Sequence, residues 1–200
     1  MKLILFLLFT TVVAREFVAR MEMPSPSVER SLFDLLMKER AKKPTRVEEF
    51  VFTNCGNPAT ELFLVNQLNI SPDPIPSAGA ITVNFEGSAR QQIVSPVKAE
   101  LTIKKNVFNI WITIPCIDNF GSCTYDDFCQ MLARIGTCPQ PFIEHNVPCH
   151  CPIPVGNYSL PGVSMDISLG ALPSGDYEAT VDLTSAAGSV GCYGLKFTLA

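Results

Sequence analysis

The chain has 200 residues with a formal net charge of −4, and 47% of its residues are hydrophobic, which is enough apolar material for a packed core. This length suits one domain and a short additional segment. The acidic excess lies in residues 50–200, which carry 12 acidic and 6 basic side chains. Because nucleic-acid binding requires a clustered basic face, this charge pattern argues against a nucleic-acid partner.

The first 14 residues have the pattern of an export signal. Lys2 precedes an apolar stretch from Leu3 to Val13, and the small residue Ala14 follows it. The stretch is too short to span a bilayer as a helix, which needs about 20 apolar residues. We therefore predict a signal peptide over residues 1–14, cleaved after Ala14 or, as the alternative, after Ala19, and an exported mature protein.

Residues 15–49 form a segment with a different composition, in which 15 of 35 residues are charged. Val28, Leu32, Leu35 and Leu36 follow helical spacing, which predicts a charged amphipathic helical extension of the main domain. A removable pro-segment is the alternative, because the basic stretch Arg40-Ala-Lys-Lys43 resembles a processing site.

From Phe50 onward the sequence has short apolar or alternating runs separated by turn-forming residues. Alternation in Ile81–Phe85 and Leu101–Lys104 is typical of strands with one buried and one exposed face. One helical pattern spans Tyr125–Ile135. We predict a mainly β domain over residues 50–200, an antiparallel two-sheet sandwich or cup with one helix. The candidate strands are Phe50–Thr53, Glu61–Leu68, Ala80–Glu86, Pro96–Lys104, Phe108–Ile114, Tyr158–Leu160, Met165–Leu169, Asp176–Thr184 and Cys192–Leu199.

The eight cysteines form an even set in an exported chain, which predicts four disulfides. Zinc is the alternative for Cys149-His150-Cys151, but structural zinc sites favour two to four residues between paired cysteines. The gap of one residue here, and the longer gaps between Cys116 and Cys138, do not fit that spacing. We expect no metal.

Motifs for catalysis or cofactor binding are not found in the sequence. It contains no Gly-x-Ser-x-Gly elbow, no Gly-x-Gly-x-x-Gly and no His-Glu-x-x-His. His145 and His150 lie in a loop rich in proline and cysteine, and the adjacent Asp126 and Asp127 are interpreted as the acidic first turn of the predicted helix. We therefore predict a protein that is not an enzyme, with no catalytic residue and no cofactor.

Two glycosylation sequons mark surface positions, Asn69-Ile-Ser71 and Asn157-Tyr-Ser159. Asn157 is the better candidate, since Pro72 follows the first sequon.

A further feature is the apolar segment from Val107 to Trp111, which follows Lys104 and Lys105. Either its large side chains pack into the core, or they form an exposed apolar tip that contacts a membrane or a ligand.

The segment Trp111–Cys129, WITIPCIDNFGSCTYDDFC, resembles the ganglioside-activator group of the ML lipid-recognition superfamily. Further motifs match in the same order and with similar spacing, namely SPDPI at 71–75, PCHCP at 148–152, GNYSLP at 156–161 and SVGC at 189–192. The resemblance extends from about Phe50 to the last residue. Residues 15–49 have no counterpart in it, and a longer tryptophan-bearing rim loop of that group is replaced here by Leu172–Asp176.

The resemblance implies a β-cup of two antiparallel sheets around a large apolar cavity, with a short helix in a disulfide-stapled loop. It implies that the apolar tip is a membrane loop formed by Val107, Phe108, Ile110 and Trp111. On the stapled loop, large side chains are candidates for the mouth of the cavity, namely Phe120, Tyr125, Phe128, Leu132 and Phe142. The implied disulfides are Cys55–Cys192, Cys116–Cys123, Cys129–Cys151 and Cys138–Cys149.

The function implied by the resemblance is non-enzymatic lipid binding and transfer in the lysosomal lumen or after secretion. Such a protein touches a membrane surface transiently, extracts a ganglioside-like glycolipid or a phospholipid, and presents it to a hydrolase such as a lysosomal β-hexosaminidase. The alternative is an extracellular carrier of other small apolar ligands or phospholipids, unrelated to ganglioside breakdown.

Overall fold

The structure is a computed structural model that describes residues 26–38, 49–168 and 172–200. The predicted signal peptide, residues 1–14, lies outside this range, as do the basic stretch 40–43 and both proposed cleavage positions. Within the described residues, no helix is long and apolar enough to cross a bilayer.

Two antiparallel sheets form the domain. The larger has the strand order β1-β9-β8-β4-β5, with the short strand β6 also paired to β4, and the smaller has the order β2-β3-β7. The fold class predicted from the sequence is therefore confirmed. The strands are β1 Val51–Asn54, β2 Phe63–Ser71, β3 Ala78–Ala89, β4 Val97–Val107, β5 Ile110–Thr113, β6 Thr124–Tyr125, β7 Gly156–Ser168, β8 Gly175–Ser185 and β9 Gly188–Leu199.

The sheets pack face to face through two clusters of buried residues, one at each end. The "tip end" is where β4 turns into β5, and its cluster contains Ile75, Ile81, Val83, Ile114, Tyr177 and Leu199. The "helix end" is where β4 begins, and its cluster contains Ile93, Val97, Cys129 and Val190. Because each cluster draws side chains from different elements, burial of its apolar surface holds the two layers together.

Three of the predicted strands differ from those observed in the following ways. The predicted strand Phe108–Ile114 begins only at Ile110, because Phe108 and Asn109 form the turn of the β4–β5 hairpin. The predicted strand Tyr158–Leu160 and the described part of Met165–Leu169, up to Ser168, belong to one strand, β7. Its register against β3 shifts between Val83 and Phe85. Pro161 and Gly162 lie at this shift, and β7 tolerates the proline because it is an edge strand.

The helices lie outside the sheets. α1 spans Pro26–Lys38, α2 spans Phe128–Ala133 and α3 spans Gln140–Glu144. The helix predicted over Tyr125–Ile135 is thus shorter than expected, and a second short helix follows it in the stapled loop. Asp127 is not in the first turn of α2, as interpreted from the sequence, but is its N-cap, and its carboxylate accepts a hydrogen bond from the Cys129 N–H at 3.0 Å.

Four disulfides are formed, and they are the pairs that the resemblance implies: Cys55–Cys192, Cys116–Cys123, Cys129–Cys151 and Cys138–Cys149. The first joins the residue after β1 to β9 across a sequence separation of 137. Closing a loop of this length restricts the unfolded chain by about 5 kcal/mol in the chain-entropy model. The other three brace the segment from residue 116 to residue 151 that carries α2 and α3.

Candidate functional site

An apolar cavity of about 410 Å³ lies between the two sheets at the helix end. Both sheets and the stapled loop contribute to its wall. The lining side chains are aliphatic, aromatic, proline or disulfide-bonded cysteine, namely Phe63, Leu68, Val83, Phe85, Ile93, Val97, Phe128, Cys129, Phe142, Val147, Pro148, Cys151, Ile153, Tyr158, Leu160, Met165, Leu183, Val190 and Tyr193. Such a wall favours a hydrocarbon guest over water.

The two polar groups among these side chains already have partners. The Tyr158 hydroxyl donates to the Pro154 carbonyl at 2.6 Å, and the Tyr193 hydroxyl donates to the Phe63 carbonyl at 2.6 Å. Burial raises the pKa of both hydroxyls, with the Glu61 carboxylate adding to the effect at Tyr193. Both tyrosines therefore stay neutral and leave only their hydrocarbon surface for a guest.

The stapled loop forms part of the cavity wall at the helix end, through α2, α3 and the residues after α3. Of the five mouth candidates, Phe128 on α2 and Phe142 on α3 line the cavity. Phe120, Tyr125 and Leu132 do not belong to the lining. The Tyr125 hydroxyl donates to the Asn119 carbonyl at 3.0 Å within the same loop.

Asp127 fixes α2 to the first residues of β4. Its carboxylate accepts hydrogen bonds from the Ser95 hydroxyl and from the Val97 N–H, the latter at 3.1 Å. The Ser95 hydroxyl has the largest effect, and together with the amides of Val97 and Cys129 it lowers the pKa of Asp127 below its ordinary value. The carboxylate thus has a positioning function for the wall of the cavity.

The β4–β5 hairpin places the apolar segment of the sequence at the opposite end of the domain. Phe108 and Asn109 have φ angles of 52° and 65°, so both turn residues are left-handed, as a two-residue type I′ turn requires. Phe108 is 85% exposed and Ile110 is 64% exposed, whereas Val107 and Trp111 are partly buried. A large apolar residue is thus both solvated and held in a conformation that ordinarily favours glycine or asparagine.

The tip-end cluster separates this hairpin from the cavity. Val107 and Ile112 pack against the cluster from the hairpin side. Leu68, Phe85 and Met165 pack against it and also line the cavity, as does its member Val83. The hydrophobic interior is therefore continuous from the hairpin to the cavity, and the tip-end cluster packs between the two. None of the four predicted membrane-loop residues lines the cavity.

α1 packs on the tip end through one face. The Phe33 ring contacts the tip-end cluster and meets the Phe120 ring edge to face, with centroids 5.9 Å apart. Arg30 lies one turn earlier, and its guanidinium binds the Asp118 carboxylate at 2.7 Å. Two leucines of the predicted apolar face, Leu32 and Leu35, are exposed. Sequence analysis missed Phe33 because it lies outside the leucine stripe, and its contact partner is far away in the sequence.

One group of potential metal ligands occurs in the described part of the chain, at Cys138, Cys149 and His150. His150 Nδ1 lies 3.2 Å from the Cys149 sulfur and 3.6 Å from the Cys138 sulfur. The two sulfurs are bonded to each other. A metal site needs deprotonated thiolates, so this cluster does not fit a metal.

The sequon residues Asn69 on β2 and Asn157 on β7 are both exposed. Asn157 pairs with Ser88 in the ladder of the smaller sheet. Glycosylation at these positions remains a prediction. His145 and Asp126 are also exposed and have no role in the cavity.

Comparisons of the sequence with known proteins show the family of this chain. The ML-domain family profile matches residues 49–199. A ganglioside GM2 activator from Macaca fascicularis is 35% identical over 162 residues, covering 77% of this chain and 85% of that protein. The corresponding protein from Mus musculus is 32% identical over 166 residues, covering 79% and 86%.

Among solved structures, a Niemann-Pick type C2 protein from Japanese carpenter ant aligns with a TM-score of 0.40 and 14% identity, covering 75% of this chain and 99% of that one. The family assignment rests on the profile match and on the two relatives above 30% identity. The chain belongs to the ML-domain family and is a relative of the ganglioside GM2 activators.

Proposed function

We propose that this protein is a non-enzymatic lipid carrier, which extracts a ganglioside-like glycolipid or a phospholipid from a membrane and presents the glycolipid to a hydrolase such as β-hexosaminidase. The observation that carries the proposal is the cavity of about 410 Å³ with an apolar wall, whose two hydroxyls are already bonded to backbone carbonyls. The cavity can bury an apolar guest, and its two hydroxyls are not available to react with that guest.

The apolar wall of the cavity determines the free energy of lipid transfer. Burying an acyl chain contributes about 0.8 kcal/mol per methylene, whether the surroundings are a bilayer or an apolar protein interior. The free energy of burying an acyl chain in the cavity therefore needs to be only approximately equal to that in the membrane. A lipid then exchanges between the two with a small change in free energy.

The hairpin at the tip end is the proposed membrane contact. Phe108 and Ile110 are exposed, and Phe108 keeps a left-handed backbone that costs about 1 kcal/mol or more for a bulky residue. The folded protein gains no packing from this arrangement. A bilayer surface provides a reason for it, because the two side chains would be buried among head groups and acyl chains.

A lipid-transfer assay tests the carrier function. Donor vesicles of phosphatidylcholine contain a self-quenched fluorescent ganglioside, acceptor vesicles contain none, and dequenching is followed with and without the full mature protein. We expect transfer well above the spontaneous rate and proportional to protein concentration. A protein that leaves the spontaneous rate unchanged would contradict lipid carriage.

A second assay separates the glycolipid-presenting function from the alternative of a general carrier. Purified β-hexosaminidase hydrolyses ganglioside in vesicles, with the protein present or replaced by albumin. Presentation predicts a large, saturable stimulation. Rapid transfer without stimulation would instead favour the extracellular carrier of other apolar ligands, for which the loop Leu172–Asp176 would be the reason, since it is shorter than the tryptophan-bearing loop of the ganglioside-activator group.

A further inference from the structure

We propose that Gly87 on β3 is a specificity-determining residue, which leaves room for aromatic rings of the cavity wall and so determines how long a hydrocarbon chain the cavity accepts. The rings are those of Phe63, Phe85 and Tyr158, which all line the cavity and are called the ring platform here. This inference rests on the proposed lipid carriage and adds the chain length of the preferred guest.

The ring platform lies on the inner face of the smaller sheet, at Gly87. The Phe63 ring stacks with both other rings, at 8° and a centroid distance of 6.4 Å to Phe85, and at 13° and 6.3 Å to Tyr158. Gly87 pairs with Val65 on β2 and with Tyr158 on β7, so it is at the centre of this sheet. It is buried although it has no side chain.

The space above Gly87 is already occupied by two of these rings. A Cβ atom added to this residue would lie 2.7 Å from Cζ of Phe85 and 3.2 Å from Cε1 of Phe63. Carbon atoms that are not bonded prefer separations of about 3.5–4.0 Å. The backbone of Gly87 is not left-handed, so lack of space, and not backbone conformation, requires glycine here. Any side chain at this position has to push the rings away from the sheet.

The displaced rings would enter the cavity. Phe63 and Phe85 both border its empty volume. Movement of Phe63 along the sheet is restricted by its stacking on Tyr158, whose hydroxyl is bonded to the Pro154 carbonyl at 2.6 Å. The cavity is therefore the unfilled space into which the rings can move, and it loses the volume that a new methyl group takes up.

This volume corresponds to a chain length. The cavity measures about 410 Å³. A methylene group occupies a volume similar to that of a water molecule, about 30 Å³, so the cavity holds roughly a dozen methylenes. A methyl group at position 87 should shorten the longest chain that fits by about one to two methylenes. Each methylene that is no longer buried lowers the affinity about fourfold.

The test measures the binding of lysophosphatidylcholines with saturated chains of about 8 to 16 carbons to the full mature protein, by calorimetry below their micelle concentrations. For wild type, affinity should rise about fourfold per methylene and level off near a dozen methylenes. For Gly87→Ala it should level off about one to two methylenes earlier. Gly156→Ala is the matched control, because a Cβ on Gly156 would lie 3.7 Å from the Tyr158 hydroxyl oxygen, an ordinary contact. This control should resemble wild type.

A second variant keeps the glycine and so remains informative if Gly87→Ala folds poorly. The added Cβ would also lie 3.1 Å from the Leu64 carbonyl oxygen, so β2 has to shift slightly in that variant. Phe85→Leu shortens the side chain that carries the nearest atom, and affinity should level off about one methylene later than in wild type. Combining Gly87→Ala with Phe85→Leu removes the 2.7 Å contact and should restore the chain length of wild type.

The outcomes separate this inference from lipid carriage. Opposite shifts for Gly87→Ala and Phe85→Leu, with recovery in the double variant, support the inference. If Gly87→Ala does not fold, the shift in Phe85→Leu alone decides. An unchanged chain length in the folded variants, or an affinity loss that is equal for all chains, would overturn the inference while lipid carriage stands. If wild type binds none of the chains, the proposed function fails and this inference fails with it.

Discussion

Glu61 accepts a hydrogen bond from the backbone N–H of Cys192 at 3.1 Å, directly beside the Cys55–Cys192 disulfide. Its other carboxylate oxygen accepts from the Asn54 side-chain amide at 2.6 Å, and the residue is only 1% exposed. The carboxylate thus joins the end of β1 to β9 at the place where the disulfide also joins them, and both of its oxygens act as acceptors.

Glu61→Gln is therefore expected to destabilise the fold by about 1–3 kcal/mol. The nitrogen of the glutamine amide would face either the Cys192 N–H or the Asn54 amide, and two donors that face each other in a buried site cannot form a hydrogen bond. Urea unfolding of the oxidised protein measures the change, and Glu86→Gln, on an exposed carboxylate, is the control. Equal unfolding midpoints for wild type and Glu61→Gln would contradict the proposed bracing.

Phe108→Asn is expected to separate stability from membrane binding. Asparagine tolerates the left-handed turn better than phenylalanine does, so the free energy of unfolding should rise by up to about 1 kcal/mol. Vesicle binding should weaken by about tenfold, because the exposed aromatic group is lost. Trp111 is the sole tryptophan of the chain and follows Ile110, so a blue shift of its emission reports vesicle binding.

Val155→Asn is the control for this variant, since Val155 is an exposed apolar residue just before β7, at the helix end of the domain. It should leave the emission shift intact. If Phe108→Asn bound vesicles as tightly as wild type, the proposal that the hairpin is the membrane contact would be wrong.

Asp127→Asn is expected to destabilise α2 in a pH-dependent way. The pKa of Asp127 is lowered in the folded protein, chiefly by the Ser95 hydroxyl. Its contribution to stability is therefore present above the pKa of an unfolded aspartate, about 3.9, and is lost as pH falls through the lower folded value. The difference in melting temperature between wild type and variant should be constant from pH 7 to about pH 5 and shrink below about pH 4. Asp126→Asn, on an exposed neighbouring residue, is the matched control.

Lipid transfer from anionic vesicles is expected to be faster near pH 4.5 than at pH 7. Residues 50–200 have 12 acidic and 6 basic side chains, and this charge repels an anionic surface at neutral pH. Ordinary carboxyl groups begin to lose their charge near pH 4–5, which relaxes the repulsion. Transfer from zwitterionic vesicles is the control and should vary much less. Equal rates at both pH values on anionic vesicles would remove this electrostatic contribution.

The sheets were predictable because their signals are local. Alternation in Ile81–Phe85 and Leu101–Lys104 reflects the two faces of β3 and β4, and proline and glycine mark where strands end. The predicted strand Phe108–Ile114 started two residues too early, because Phe108-Asn109 is not a pair that typically forms a type I′ turn. β7 was divided in two because Pro161-Gly162 in an edge strand gives the same signal as a loop.

Local sequence patterns could not predict which part of the interior is packed with side chains and which part is a cavity. An inward-facing valine or leucine gives the same pattern whether it contacts another side chain or lines an empty volume, so the sequence does not locate the cavity at the helix end. Phe33 was missed because its partners, Phe120 and the tip-end cluster, come together only in the folded chain. α3 has only five residues, too few for a periodic pattern.

The two sheets are connected to each other by short links rather than by a shared ladder. In the described residues, Ile75 bonds to the backbone of Thr198 and Ala200, and the Leu62 N–H donates to the Ser189 carbonyl. The spacing between the layers can therefore adjust while the strand pairing within each layer persists. When a guest of larger cross-section binds, van der Waals contacts between the layers are lost, but most backbone hydrogen bonds stay intact. The same fold can therefore bind guests of different cross-section.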